Sequence, residues 1–353
     1  MPGMKPIAYV LSIIALGVGL LSCSGGGGGG GGSSTPAFAI STTAADFGVV
    51  GNAYTSTLVT TGGTAPFTWT VFISSVLPSG LLLNGTTGVV SGTPTAAGNF
   101  DVTFTVTDST GKTATGSVLF AIHPRTDLLS VNNSVPPVPG VGASSAPSIS
   151  SNGRFVAFAS SASLIPGVSG SQTYIHDWQT NQTSLVSRNA VGIAGNGDSS
   201  QPTISSNGQF VAFTSLATNL AATLGGSGTQ IFLFDTQANT TTLVSRVGLG
   251  NAGDGASSQP TISSNGQYVA FTSLATNLAA IPPGGSRAQI YLRDTQANMT
   301  SIVSQTAVGG NAGNGASSQP TMSDNGGFVA FSSLSTNLGA LGGNQQIYVR
   351  ALP

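Results

Sequence analysis

The chain has no glutamate, a single cysteine, two histidines and few charges of either sign. Charged residues make up 5% of its 353 positions, against ~25% in ordinary globular proteins. Nine scattered basic residues and a net charge of −1 form no stripe for phosphates, which excludes nucleic acid as a partner. One cysteine excludes an intrachain disulfide. Together with His123 and His176, far apart in sequence, it cannot supply the three or four convergent ligands of a metal site. No metal and no cofactor is expected. There is no Gly-x-Ser-x-Gly elbow and no His-Glu-x-x-His helix, so the familiar hydrolase constellations are absent. Low charge does not mean disorder here, because 39% of the residues are hydrophobic. Ser, Thr, Asn and Gln take over solvation, which suits exposed β-surfaces.

What the chain does contain is a repeat. Ala146-Pro147-Ser148-Ile149-Ser150-Ser151-Asn152-Gly153 and the Phe155-Val156-Ala157-Phe158 that follows recur three more times, with the prolines at Pro202, Pro260 and Pro320. A period of this size means stacked supersecondary units. Within one unit, the strand 202–205 leads through Ser206-Asn207-Gly208 to the apolar run 210–213. Asn-Gly predicts a type I′ hairpin turn with positive φ at both central residues. An apolar run without alternation predicts a strand buried on both faces. Third and fourth strands follow over 230–234 and 241–245. Four antiparallel strands at this period describe a β-propeller blade. The last unit stops after its third strand, 346–350, while residues 126–131 ahead of the first unit match the fourth strands 183–188 and 300–305. The expectation is a four-bladed ring in which the N-terminal strand 126–131 pairs with 346–350 and removes the open edges.

The segments 205–215 and 263–273, with Ile290-Tyr291-Leu292-Arg293-Asp294, resemble the TolB-type, WD-like propeller repeat over residues 125–353. Such repeats usually come in sixes or more, which leaves two possibilities: the ring closes alone, or it pairs with another copy. Relatives carry Asp-rich loops ahead of the third strand; the matching loops 224–228 and 282–285 hold no acid, so a cation site is not carried over.

The front of the chain has a different composition. Lys5 precedes an apolar run over 7–21, too short to span a bilayer comfortably and suited to a signal-peptide core. It ends in Leu20-Leu21-Ser22-Cys23, which resembles the bacterial lipoprotein box. The resemblance implies cleavage after residue 22 and diacylglyceryl on Cys23. Ser24 in place of Asp implies export to the outer membrane. Eight glycines, 25–32, then read as a flexible tether within 23–35. A phosphate loop is ruled out because no strand precedes the run and no Lys or helix follows it. Residues 36–123 alternate at period two in 54–58, 67–71 and 100–106, with turn clusters between them, as in an Ig-like β-sandwich. The stretches 62–69, Leu77-Pro78-Ser79-Gly80-Leu81, 87–94 and Val106-Thr107-Asp108 resemble the dystroglycan/cadherin-like Ig family of bacterial surface proteins.

Of the polar residues, Asp177, Asp235 and Asp294 recur at one turn position and read as Asx turns. His176 aligns with Phe234, Arg293 and Arg350, a variability that reads as solvent exposure. The candidate ligand contacts are in the loops between blades: Asn196 and Asp198, Asn251 and Asp254, Asn311 and Asn314. Asp198 with Asp254 could form a glycosidase-like carboxylate pair, although Gly-flanked loops are poorly preorganised for catalysis. The sequence therefore reads as a non-enzymatic envelope lipoprotein that uses its propeller for binding or scaffolding, with an envelope protein or glycan as ligand. The alternative is a carbohydrate-binding or carbohydrate-active protein working through the loops at the propeller mouth. If Cys23 carries the anchor, Cys23→Ser should shift the protein from the membrane pellet to the soluble fraction and abolish palmitate labelling; labelling that persists would refute the assignment.

Overall fold

A computed structural model of the chain describes residues 36–134, 137–221, 227–279, 287–307, 310–339 and 344–352. The signal segment, Cys23, the glycine tether and residues 224–226 and 282–285 lie outside the described residues. Among the described residues all regular structure is β. The first module comprises β1 (Ala39–Ile40), β2 (Gly48–Val49), β3 (Tyr54–Thr57), β4 (Thr60–Thr61), β5 (Thr68–Val71), β6 (Leu81–Leu83), β7 (Val89–Gly92), β8 (Gly98–Thr107) and β9 (Thr113–His123). One sheet runs β2-β9-β8-β5, the facing one β3-β7-β6, and β1 pairs with β4. Alternation along β5 and β8 turns Trp69, Val102, Phe104 and Val106 inward, where they meet Leu81 and Val90 of the other sheet. The motif glycines have a steric reason. A Cβ on Gly80 would lie 2.0 Å from the Thr93 carbonyl, and one on Gly92 would lie 2.1 Å from the Gly80 carbonyl.

Blade 1 follows as β10 (Ser144–Ile149), β11 (Phe155–Ser160), β12 (Gln172–Asp177) and β13 (Gln182–Leu185). Blade 2 is β14 (Ser199–Ile204), β15 (Phe210–Ser215), β16 (Gln230–Asp235) and β17 (Thr240–Leu243). Blade 3 is β18 (Ser257–Ile262), β19 (Tyr268–Ser273), β20 (Gln289–Asp294) and β21 (Met299–Ile302). Blade 4 has only β22 (Ser317–Met322), β23 (Phe328–Ser333) and β24 (Gln346–Ala351). Each blade is an antiparallel meander, stiffened by one stacked aromatic pair between its second and third strands. These pairs are Phe158–Tyr174, Phe213–Phe232, Phe271–Tyr291 and Phe331–Tyr348, with centroids 5.7–6.0 Å apart.

Both faces of a central strand are buried because successive blades stack. Phe155, Ala157 and Ile175 of blade 1 pack on Val211, Phe213 and Phe232 of blade 2. Ala212, Ile231 and Leu233 then pack on Val269, Phe271 and Tyr291 of blade 3, and Ala270, Ile290 and Leu292 on Val329 and Phe331 of blade 4. The inner turns add a ladder: Ser151 N–H donates to Ser206 O, Ser206 N–H to Ser264 O, and Ser264 N–H to Asp324 O.

Three expectations need correction. The Asn-Gly turns are not type I′: positive φ falls on Gly153, Gly208, Gly266 and Gly326 but not on the asparagines. Gly208 N–H bonds to Ser205 O and Ser205 N–H to Phe210 O, a type I turn followed by a left-handed glycine. Positive φ also recurs at Ala146, Gln201, Gln259 and Gln319, where each innermost strand bulges before its proline.

Second, residues 126–131 do not pair with β24. Among the described residues, the one strand that β24 pairs with is β23. Residues 126–131 lie instead against blade 1, where Thr183 Oγ1 donates to Val131 O (2.8 Å) and Trp178 Nε1 to Asp127 Oδ2 (3.1 Å). Blade 4 leaves one face of β24 uncovered, whereas the front face of blade 1 (Val156, Phe158, Tyr174, His176) is buried within the chain. Ile231 is fully buried, whereas Ile347, at the same repeat position in blade 4, is 77% exposed.

Third, the recurrent serines and glutamines are not surface solvation. Ser199 and Ser215, Ser257 and Ser273, and Ser317 and Ser333 form buried hydroxyl pairs, each at 2.9 Å.

The uncovered end predicts an asymmetry at identical residues. Ile231→Ala should cost ~2–5 kcal/mol, and Ile347→Ala at high dilution less than ~0.5 kcal/mol. Denaturant titration checks both, and equal losses would mean that the ring closes within the chain.

Candidate functional site

The loops joining one blade to the next share an end of the arc with the loops that follow each second strand. Asn196, Asp254 and Asn314 are equivalent there, and each clips the neighbouring loop. Thr218 N–H donates to Asn196 Oδ1 (2.8 Å) and Asn196 Nδ2 to Thr218 Oγ1 (2.9 Å); Asn314 repeats both bonds with Thr336. Asp254 accepts from Thr276 N–H and Oγ1, both at 2.6 Å, and the hydroxyl bond above all holds its carboxyl below the usual range. Asp198 occupies a different place: its Oδ1 accepts from Ser171 N–H (3.0 Å), and its backbone oxygen accepts from Leu216 N–H as those of Ala256 and Ala316 do from their loops. Asp198 and Asp254 are thus not structural equivalents. Asn251 and Asn311 close their own turns, their carbonyls accepting from Val247 and Thr306 N–H.

Beneath these loops is a knot the sequence reading missed. Ser187 Oγ donates to Gln172 Oε1 (2.6 Å), Thr173 N–H donates to Ser187 Oγ (3.0 Å), and Gln172 Nε2 reaches Gly195 O (3.1 Å). Gln230 with Ser245 and Gly253, and Gln289 with Ser304 and Gly313, repeat it. Its signal was present: Gln opens every third strand and Ser closes every fourth.

The opposite end carries the Asx turns. Asp177, Asp235 and Asp294 each accept the N–H two residues ahead at 2.8–3.0 Å. Arg154 also grips Asp177 with two 2.8 Å bonds. Burial acts to raise the Asp177 pKa, but Arg154 and the turn N–H outweigh it, and the net shift is downward.

Between blades 1 and 2 this end opens into a cavity of about 230 Å³, lined by Phe155, Asp177, Gln182, Arg188 and Phe234 among others. The Arg188 guanidinium sits 5.2 Å from the Phe234 ring centre, its Nε has no hydrogen-bond partner among the described residues, and burial lowers its pKa. Between blades 2 and 3 the corresponding space is filled by Arg293, which donates to Thr300 Oγ1, Gly248 O and Asn298 Oδ1. Burial first, and then repulsion from Arg246, pull Arg293 down to about 10. Between blades 3 and 4 a cavity of about 320 Å³ is more apolar, with Tyr268, Met299 and Leu292 beside Gln305 and Arg350.

His176 corrects the solvent-facing reading. It is completely buried within the chain, with Nδ1 3.0 Å from Thr183 Oγ1, whose own hydroxyl donates to Val131 O. Its repeat position is the one held by Phe234 and Arg293 in the later blades, on the face of blade 1 that no blade precedes. His123 is buried at the module junction, 4.6 Å from the Trp178 ring and 3.3 Å from Asp127 Oδ2. Among the described residues no three His, Cys, Asp or Glu side chains converge.

The family model described as Putative Ig domain matches residues 33–123. Among curated proteins nothing matches. Solved structures with a likeness to the chain include prolyl endopeptidases, at 13% identity and TM-score 0.38, covering 60% of this chain, which spans 28% of theirs. Putative TolB from Agrobacterium tumefaciens has 15% identity and TM-score 0.27 over 62% of this chain and 92% of its own. The human KIAA0319 PKD domain has 15% identity and TM-score 0.20 over 29% of this chain and 96% of its own.

Burial lowers the pKa of His176, so the folded chain takes up its proton less readily than the unfolded chain. Below the ordinary pKa of ~6.5 the unfolded state binds a proton that the folded state does not, so stability falls as pH drops through that value. His176→Phe, the residue blade 2 carries there, should flatten the melting temperature between pH 7 and 5; an unchanged slope would place the effect elsewhere.

Proposed function

We propose that the chain is a non-enzymatic cell-envelope lipoprotein that displays a propeller-type binding or scaffolding module on an Ig-like spacer. The anchor is diacylglyceryl on Cys23, the membrane is the outer one, and the ligand is an envelope protein or glycan. The observation that carries this reading is how the acidic side chains are used. Asp254 clamps a loop, while Asp177, Asp235 and Asp294 hold turns. A carboxylate held below its usual range, as Asp254 and Asp177 are, suits accepting hydrogen bonds and does not suit donating a proton near neutrality. The inter-loop positions Asn196, Asp198, Asn251, Asp254, Asn311 and Asn314 then contact ligand as a rigid polar rim. The cavity between blades 1 and 2 is the second contact, where Arg188 over Phe234 offers a cation that makes no salt bridge among the described residues. Two aromatic rings and the polar Gln182 beside that cation favour a carbohydrate as the second reading. A glycan array and hydrolysis screen on the full chain should show retention without turnover, and an envelope pull-down should recover a partner. Arg188→Ala should weaken capture about tenfold, the loss of one charged contact. Product formation that persists on repurification would replace the binding reading with the enzymatic one.

A further inference from the structure

The first two steps between blades are built alike, and one residue makes them differ. Between blades 2 and 3, Arg293 donates to Thr300 Oγ1 (3.1 Å), Gly248 O (2.8 Å) and Asn298 Oδ1 (3.0 Å). Arg246, beyond the fourth strand of blade 2, donates to the same Asn298 Oδ1 (3.2 Å). Neutral acceptors of the chain itself therefore hold both guanidinium groups. Between blades 1 and 2 the frame returns: Arg188 stands where Arg246 does, Thr241 where Thr300 does and Asn239 where Asn298 does. Thr241 Oγ1 donates to Arg188 O as Thr300 Oγ1 does to Arg246 O. Only the wedge has changed, with Phe234 in place of Arg293.

A phenyl ring cannot donate to those acceptors and is shorter than an arginine, and this step opens into the cavity of about 230 Å³. Arg188 lines it. Its buried Nε has no hydrogen-bond partner, and its terminal nitrogens make no hydrogen bond or salt bridge among the described residues. The donors that blade 3 spends on its own chain are here unspent. Around them the wall divides in two: Phe155, Ile175 and Phe234 give an apolar floor, while Gln182, Ser184 and Thr236 give an uncharged rim. Asp177 is on the same wall, but Arg154 holds both its oxygens at 2.8 Å.

We propose that this cavity binds a uronic-acid unit of an acidic glycan, with the sugar carboxylate on Arg188, the ring against Phe234 and the hydroxyls on Gln182, Ser184 and Thr236. The assignment rests on the binding role proposed above and narrows its ligand to a sugar acid. One guanidinium matches one carboxylate in a two-bond fork. A phosphate dianion fits less well, because Asp177 keeps its negative charge on the same wall and repels a second one. An acidic peptide side chain uses the guanidinium and leaves the amide and hydroxyls of the rim without partners. A sugar ring matches both halves of the wall, with C–H groups for the floor and hydroxyls for the rim. The space is below the ~300–1,000 Å³ of drug-sized sites, which limits it to about one ring.

The test is a ligand-observed NMR titration of the full chain in detergent with methyl glucuronide, methyl glucoside and glucose 6-phosphate. The glucuronide should bind about tenfold tighter than the glucoside, one charged contact's worth, and added salt should weaken the glucuronide alone. Arg188→Gln should bring the glucuronide down to the glucoside's affinity and leave the glucoside unchanged, while Arg188→Lys should keep part of the preference. Phe234→Arg installs the wedge of blade 3, so it should close the cavity to both sugars and still melt near the parent. A parent without preference, or a preference that survives Arg188→Gln, would overturn the proposal. Glucose 6-phosphate binding as tightly as the glucuronide would make this a general anion site and also overturn it. So would a Glu-rich peptide that binds at Arg188 where the sugars do not. A chain that captures a neutral glycan or an envelope protein but fails these titrations loses the uronate assignment and keeps the binding role; failure in both removes both.

Discussion

Everything beyond residue 144 depends on the apolar face that each blade lends the next. A single four-stranded meander of these short strands cannot hide its central strands, whose side chains are apolar on both sides. Stacking solves this at every internal step: Ile231 and Phe213 disappear between neighbours, and stacked rings hold the second and third strands in register. The same dependence sets the weak point, because a blade at the end of the series has a face with no neighbour. On blade 4, Ile347 and Val349 have no neighbouring face and are exposed.

A chain almost without charge must find specificity elsewhere, and here it comes from neutral hydrogen bonds repeated at each blade. The Gln–Ser–Gly knots, the paired serines and the Asn or Asp clips on Thr218, Thr276 and Thr336 fasten loops to strands without ion pairs. Buried, fully partnered amides and hydroxyls are costly to misplace, so they fix the register between blades that apolar contact alone would leave loose. Charge appears where the blades differ. Arg188, Arg293 and Arg350 stand in successive wedges or beside them, so each gap has its own chemistry.

The candidate site was only partly legible in the residues. The turn role of Asp177, Asp235 and Asp294 could be read from recurrence alone, because a short acid at one position of every full copy points to local bonding. The clips could not be, since Thr218 is more than twenty positions from Asn196 and nothing in either segment points to the other. The same limit misplaced His176: variability at one repeat position looks like exposure in a sequence, yet His, Phe and Arg fill the same buried position with different bonds.

By itself the sequence determined the β-architecture, the number of blades, the order of strands within each and the sandwich ahead of them. These follow from period, alternation and turn residues, which act over a few positions. Tertiary structure alone decided where 126–131 goes. Its resemblance to a fourth strand was real, and it sits where such a strand belongs, but which blade it completes depends on how far four stacked sheets turn. That angle is set by packing between faces many residues apart, summed over every step, and no single segment encodes it.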